Sequence, residues 1–279
     1  MSALDDQLTL LHGHSIPPVG LGTWPLLGDE CEATVGAALA DGYRLIDTSH
    51  KYANEDAVGR AIRSSDVPRE QLFITSKFNK EDHSVDGVRR AYDQSLDRLG
   101  LDYLDLFLCH WPVPWEDNYV EAWRGLISLV TENRVKAIGV SNFKPAHIDR
   151  IVAATGYIPD VNQIQLSVDL ARTEVREYHR AHGILTQGWS PLGRGAQLRE
   201  LPEVIAIAER LGRSPAQVLL RWHVQQGCVP VPRTSDTAQL RENIALFDFA
   251  IPDADMSVLS ALDRGELAAR DSDDPENGH

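Results

Sequence analysis

The chain has 279 residues, 43% hydrophobic and 24% charged, enough apolar material to bury a sizeable core without disulfides or a structural metal. Lys and Arg number 27 against 41 Asp and Glu, a formal net charge of -14 whose long-range field disfavours nucleic acid and anionic membrane as partners. The three cysteines, Cys31, Cys109 and Cys228, form no CxxC pair, so neither a disulfide framework nor a thiolate zinc site is expected, and a reducing cytoplasm fits.

Residues Met1 to Leu11 are acidic and carry no apolar core of signal-peptide length, and no stretch approaches the roughly 18 apolar residues of a membrane span. Leu8 to Leu10, a His12-Gly13-His14 turn and Ser15-Ile16 read as a β-hairpin. Eight apolar runs follow: Val19–Gly22, Tyr43–Asp47, Leu72–Lys77, Leu104–His110, Val135–Ser141, Val161–Gln165, Ile184–Gly188 and Cys228–Pro232. Helix-like segments alternate with them at Glu30–Ala40, Glu55–Ser64, Val85–Leu99, Tyr119–Thr131, Pro145–Ala154, Thr173–Ala181, Pro202–Leu211, Pro215–Gln225 and Thr237–Leu246. Ser214-Pro215 supplies an N-cap with proline at the first helical position.

This alternation, without a linker-like tract, predicts one α/β domain over residues 1–279, a (β/α)8 TIM barrel entered through a short N-terminal β-hairpin. An open dinucleotide fold would want G-x-G-x-x-G after the first strand, but Gly20-Leu21-Gly22 runs into Thr23, Trp24 and Pro25. The tail from Gly265 to His279 is polar and Asp-rich and is not expected to pack on its own; it either closes over the barrel or stays mobile.

Barrel active sites form at the C-terminal ends of the strands, so polar residues that end the apolar runs are the informative ones. Asp47 ends the second run, Tyr52 follows five residues later, Lys77 ends the third and His110 ends the fourth. A phenol is a poor acid at neutral pH, but an ammonium beside it favours the phenolate. At ~4 Å and an effective dielectric of ~20 that attraction is about 4 kcal/mol, an upper bound of roughly three pKa units before burial subtracts from it. The expectation is a proton donor, Tyr52, moved toward neutrality by Lys77, with Asp47 holding Lys77 and His110 orienting a carbonyl oxygen.

The segments GYRLIDTSHKYANE (Gly42–Glu55), Ser76-Lys77, LDLFLCHWP (Leu104–Pro112), GVSNF (Gly139–Phe143), VNQIQL (Val161–Leu166) and WSPLGRG (Trp189–Gly195), in this order and spacing, resemble the aldo-keto reductases over nearly the whole chain. Asp117–Trp123 and Arg150–Gly156 are most similar to the bacterial diketo-gluconate reductase type. The resemblance implies a monomeric NAD(P)H-dependent reductase of small-molecule aldehydes, ketones or dicarbonyls, with Asp47, Tyr52, Lys77 and His110 as its tetrad. It implies cofactor contacts from Ser141, Asn142 and Gln163 to the carboxamide, from Trp189 to the nicotinamide face, and from Ser190 and Leu192 near the pyrophosphate.

It further implies an adenosine-phosphate site at Arg233, Thr234, Glu242 and Asn243. There Gln239 stands where an arginine is expected, which leaves NADPH as the expected cofactor and NADH possible. Arg241 lies two helical residues further on, about 200° away around the helix. After Lys77 the usual Leu-Trp-Asn is Phe78-Asn79-Lys80, so one pocket indole is missing. Trp24, Phe78 and Trp111, with Trp115 near them, are expected to line a pocket suited to apolar or aromatic carbonyls.

Taken singly these residues have plainer roles: a strand-end Asp is often a cap, His110 a satisfied core imidazole, the tryptophans packing residues. His179 and His182 are three apart on a helix, but no third ligand follows, and no metal is expected. Two other functions suit the same barrel, a lyase that uses Lys77 as a Schiff-base amine and a cofactor-sensing barrel without turnover.

Overall fold

The structure is a computed structural model and describes residues 7–194 and 197–277. Strands β1 (Leu8–Thr9) and β2 (Ser15–Ile16) pair antiparallel, Leu8 opposite Ile16. Strands β3 (Gly20–Gly22), β4 (Leu45–Asp47), β5 (Phe73–Phe78), β6 (Leu104–Cys109), β7 (Val135–Ser141), β8 (Val161–Gln165), β9 (Leu185–Trp189) and β10 (Val229–Pro230) form one parallel sheet in sequence order. It closes on itself where the Gly22 N–H donates to the Pro232 carbonyl at 3.0 Å. A Cβ on Gly22 would lie 2.8 Å from the Val231 carbonyl oxygen, so the seam needs glycine there.

Helices α1 (Gly28–Ala40), α2 (Glu55–Ser64), α3 (Val85–Leu99), α4 (Tyr119–Thr131), α5 (Pro145–Thr155), α6 (Thr173–Ala181), α7 (Pro202–Leu211), α8 (Pro215–Gln225) and α9 (Thr237–Ile244) lie between or after the strands. Their ends follow local chemistry. Ser84 caps α3 by accepting the Gly87 N–H, Ser214 and Gln217 form a reciprocal capping box on α8, and Gly100, Gly156 and Gly212 take left-handed backbone where α3, α5 and α7 stop. A further helix, α10 (Asp253–Ser260), was not expected from the sequence; it is short and fully buries only Leu259, too little to write a periodic signal.

Period-two alternation sorts each strand into two faces. Leu45, Phe73, Leu106, Leu108, Ala137, Val161 and Val229 fill the barrel interior, and Leu10 and Ile16 of the hairpin pack into the same cluster at its N-terminal end. Ile46, Ile74, Phe78, Phe107, Cys109, Ile138 and Val140 face the helices. The hairpin is held at the start of β8, where Asp160 Oδ1 accepts the His12 N–H at 3.1 Å.

The tail packs against the rim opposite the hairpin. The Arg270 N–H donates to Gln165 Oε1 at 3.0 Å, Lys144 pairs with Asp271 and Asp273 at 2.6 and 2.5 Å, and Ser272 is buried. Gly278 and His279, the last residues of the predicted tail, lie outside the described residues. Among the described residues no helix is long and apolar enough to cross a membrane.

The seam yields a stability test with two opposite signs. Gly22→Ala is expected to lower unfolding free energy by about 1–3 kcal/mol through forced separation of β3 from Val231, the residue that follows β10. Gly36→Ala, in α1 with open space around the site, is expected to raise it by about 0.5–1 kcal/mol; urea midpoints read both.

Candidate active site

Inward-facing residues at the C-terminal strand ends are polar where those below are apolar. Lys77 on β5 is wholly buried, and its Nζ donates to Asp47 Oδ1 at 2.6 Å, to the Thr48 carbonyl at 2.8 Å and to Tyr52 Oη at 3.3 Å. An ammonium has three N–H donors, and here each has an acceptor. The other oxygen of Asp47 accepts from Gln163 Nε2 on β8 at 2.7 Å, across the barrel. On the outer face of β5, Ser76 Oγ donates to Glu55 Oε1 at 2.5 Å and Glu55 pairs with Arg98 at 2.6 Å, which ties the strand bearing Lys77 to α2 and α3.

Tyr52 arrives on a 3-10 turn, His50–Tyr52, that Ser49 caps and that Ala53 ends in left-handed backbone at φ 52. Asn54 secures the loop: it is buried, donates to the carbonyls of Thr23 and Leu26, and accepts from Thr48 Oγ1. His110 continues from β6 and stands edge-on to Tyr52, ring centroids 5.9 Å apart. The four residues expected to act together therefore meet on one rim.

The electrostatics differ from expectation at Tyr52. Burial raises its phenol above the ordinary value, and the Lys77 ammonium only partly offsets this, so the proton is held more firmly than the charge argument alone implies. Burial works against the charge on Lys77, but Asp47 and the Tyr52 oxygen outweigh it and raise the ammonium above its ordinary value. Burial, then the charges of Lys77 and Lys51, push His110 well below the ordinary imidazole value, which leaves it neutral at physiological pH.

A cavity of about 270 Å³ opens over this cluster, lined among others by Trp24, Tyr52, His110, Trp111, Asn142 and Trp189. Ser141, Asn142 and Gln163 lie on one side of it, and Trp189 Nε1 donates to Asn142 Oδ1 at 2.9 Å, which fixes the indole plane. Asn142 and Ser190 adopt left-handed backbone at φ 62 and φ 53, a conformation rarely held without a structural reason. Beyond Ser190 a second cavity of about 290 Å³ is lined by Leu192, Arg199, Gln239, Glu242 and Asn243. Arg233 is exposed, and its neighbour Thr234 is buried and donates from Oγ1 to Gln239 Oε1, on that cavity's wall, at 2.9 Å. Arg241 pairs instead with Asp41 at 3.0 Å, toward the end of α1. A held indole plate and amide groups line the first cavity, and α9 edges the second, the kinds of group that an elongated dinucleotide would need.

The pocket differs from the predicted one at Phe78. Its side chain is fully buried against Phe107 and His83 on the helix side of β5, because Lys77 points inward and its neighbour must point outward. Trp115 is 39% exposed and does not line the cavity. Trp24, 57% exposed, and Trp111 do line it. Sequence reading missed Lys51, Arg194 and Arg270 on the cavity wall; no strand-end signal marks any of them, and Arg270 arrives from the tail.

Removal of one partner of the buried pair should leave the other stranded. Lys77→Met is expected to destabilise the fold by about 3–5 kcal/mol, and adding Asp47→Asn should recover much of it; denaturant midpoints of the single and double variants test the coupling.

The Aldo/keto reductase family model matches residues 18–264. An aldo-keto reductase of Mycolicibacterium smegmatis (strain ATCC 700084 / mc(2)155) is 42% identical over 268 residues, 96% of this chain and 97% of the relative. Methylglyoxal reductase DkgA of Salmonella typhimurium (strain LT2) is 39% identical over 267 residues, 95% of this chain and 96% of the relative. A crystal structure of a Gox0644 mutant in complex with NADPH superposes with a TM-score of 0.91 at 37% identity, covering 96% of this chain and 97% of that one. Barrel, hairpin and matched sequence agree: the chain belongs to the aldo-keto reductase family.

Proposed function

We propose that this protein reduces aldehydes, ketones or dicarbonyls to alcohols with NADPH, and that Tyr52 donates the proton. The observation that carries the reading is the contact of buried Lys77 Nζ with both Asp47 and Tyr52, which line, with His110, the cavity that Trp189, Asn142 and Gln163 also line. NADPH bound along the two cavities would supply hydride to the carbonyl carbon. Trp189 gives the nicotinamide a fixed apolar face, and Ser141, Asn142 and Gln163 offer hydrogen-bonding groups to its carboxamide. Arg233, next to the Thr234 that bonds Gln239, would meet the 2'-phosphate, with Glu242 and Asn243 at the adenine edge and Arg199 a second cation on the same cavity wall.

The chain's own chemistry is proton transfer. As negative charge builds on the substrate oxygen, the Tyr52 hydroxyl gives up its proton, and the Lys77 ammonium stabilises the phenolate left behind. Asp47 holds Lys77 charged and aimed. A raised phenol pKa keeps the donor protonated at neutral pH, and the adjacent ammonium lowers the cost of losing that proton. A Schiff-base lyase would need a neutral, unengaged amine, whereas Lys77 is held charged with every donor in use.

Methylglyoxal and a panel of aldehydes and ketones, followed by loss of nicotinamide absorbance, test the reading. Tyr52→Phe is expected to lower kcat by about 10²–10⁴-fold while NADPH affinity stays unchanged. Wild-type protein that binds NADPH yet reduces nothing across the panel would favour a sensing barrel. For the cofactor, Gln239→Arg is expected to tighten NADPH by roughly tenfold, through a charge-assisted bond to the 2'-phosphate, and to leave NADH unaffected. Fluorescence titration with each nucleotide reads it; an equal change for both would place the phosphate elsewhere.

A further inference from the structure

His110 is neutral in the site, so its ring carries one N–H, and the nitrogen that holds it decides what the residue can do. Nδ1 lies 3.0 Å from Asn79 Oδ1 and 3.4 Å from Ser49 Oγ. Nε2 has no partner among the described residues, which leaves it as the nitrogen turned to the cavity that the ring lines. A substrate oxygen gaining negative charge needs a donor. Nε2 of a neutral ring can donate only if Nδ1 is unprotonated, and Nδ1 then needs a donor opposite it.

Ser49 is already committed, since its hydroxyl donates to the Lys77 carbonyl at 3.2 Å and its oxygen accepts the Lys51 N–H at 3.3 Å. Asn79 is not. Its side chain is buried, and Nδ2 has no hydrogen-bond partner among the described residues while Oδ1 is the end turned to His110. The two ends of a carboxamide have nearly the same shape, so a half-turn about χ2 exchanges them in the same space. The exchange directs Nδ2 at His110 Nδ1. It also replaces an orphaned buried amide nitrogen, which folded proteins rarely tolerate, by an under-satisfied oxygen, which they tolerate better.

We infer that Asn79 is a positioning residue: its amide nitrogen donates to Nδ1 of His110 and so keeps the ring proton on Nε2, aimed at the substrate oxygen. The catalytic consequence rests on the reductase reading above; the tautomer does not. The charged and titratable groups around the ring are Lys77 from β5, Lys51 and Tyr52 from the 3-10 turn, and Asp47 behind Lys77.

The test uses the full chain labelled with ¹⁵N-histidine. Long-range proton–nitrogen spectra report which ring nitrogen is protonated, and His110→Gln identifies the His110 resonances among the ten histidines. The expected wild-type pattern is a protonated Nε2 and a bare Nδ1. Asn79→Asp offers Nδ1 only acceptors, so the proton should move to Nδ1 and the ring pKa should rise. Below that raised pKa the doubly protonated ring still donates from Nε2; above it Nε2 is bare, and kcat should fall by about 100-fold, as for loss of one oxyanion donor.

Activity of the Asn79→Asp variant should therefore be recovered on acidification, a limb that wild type lacks near neutrality. Merely structural damage would lower kcat equally at every pH. A wild-type spectrum with Nδ1 protonated overturns the proposal, as does an Asn79→Asp pH profile parallel to wild type. Failure of wild type to reduce any carbonyl would sink the reductase reading alone, with the spectrum still deciding the tautomer.

Discussion

The ion pair between Lys77 and Asp47 lies at the join of two unlike layers of the barrel. Below it the interior is apolar, closed by the hairpin; above it lie Ser141, Gln163, Gln187 and the cavity. A buried ion pair of this kind seldom stabilises a fold more than apolar residues of the same volume would. What it supplies is position. Asp47 is reached from both sides, by Lys77 and by Gln163, so β4, β5 and β8 share one polar knot, and Tyr52 is set against its charge. The clamp of Ser76, Glu55 and Arg98 on the outer face keeps that strand in register.

Charge is distributed against the protein's overall sign. A net charge of -14 opposes an anionic cofactor, yet Lys51, Arg194 and Arg270 line the cavity over the cluster and Arg199 lines the second one. Arg270 depends on the tail for its place: Gln165 accepts its backbone N–H, and Lys144 pairs with Asp271 and Asp273 just beyond. Burial and the neighbouring Arg194 lower Arg270 from its ordinary value, as expected of two cations on one rim. The tail is thus part of the cavity wall, tied down by ion pairs and a buried serine where it lacks an apolar face of its own.

Neutrality is as informative as charge at this site. His110 is surrounded by Lys77 and Lys51 in a buried setting, and a second proton on its ring would face both. A neutral imidazole has one hydrogen to give, so its remaining neighbours matter in a way they would not for an imidazolium. Asn79 stands where the resemblance leads one to expect an indole, and it exchanges a packing surface for a hydrogen-bonding one.

The sequence by itself determined the barrel and most of its boundaries, because caps, glycine stops and alternating apolar runs are local signals. The spans of α2, α3, α4, α6, α7 and α8 agree with it residue for residue. It also named Asp47, Tyr52, Lys77 and His110, since strand-end polar residues in a parallel barrel converge by geometry. Phe78 was misplaced in the pocket, although strict alternation beside an inward Lys77 turns it to the helix side. Only the tertiary structure decided the rest. Whether burial or the ammonium governs the phenol of Tyr52, which residue meets Nδ1 of His110, and that Arg270 reaches the cavity from nearly 200 residues beyond Lys77 all depend on distances between segments remote in the chain. Local patterns carry no term for such distances.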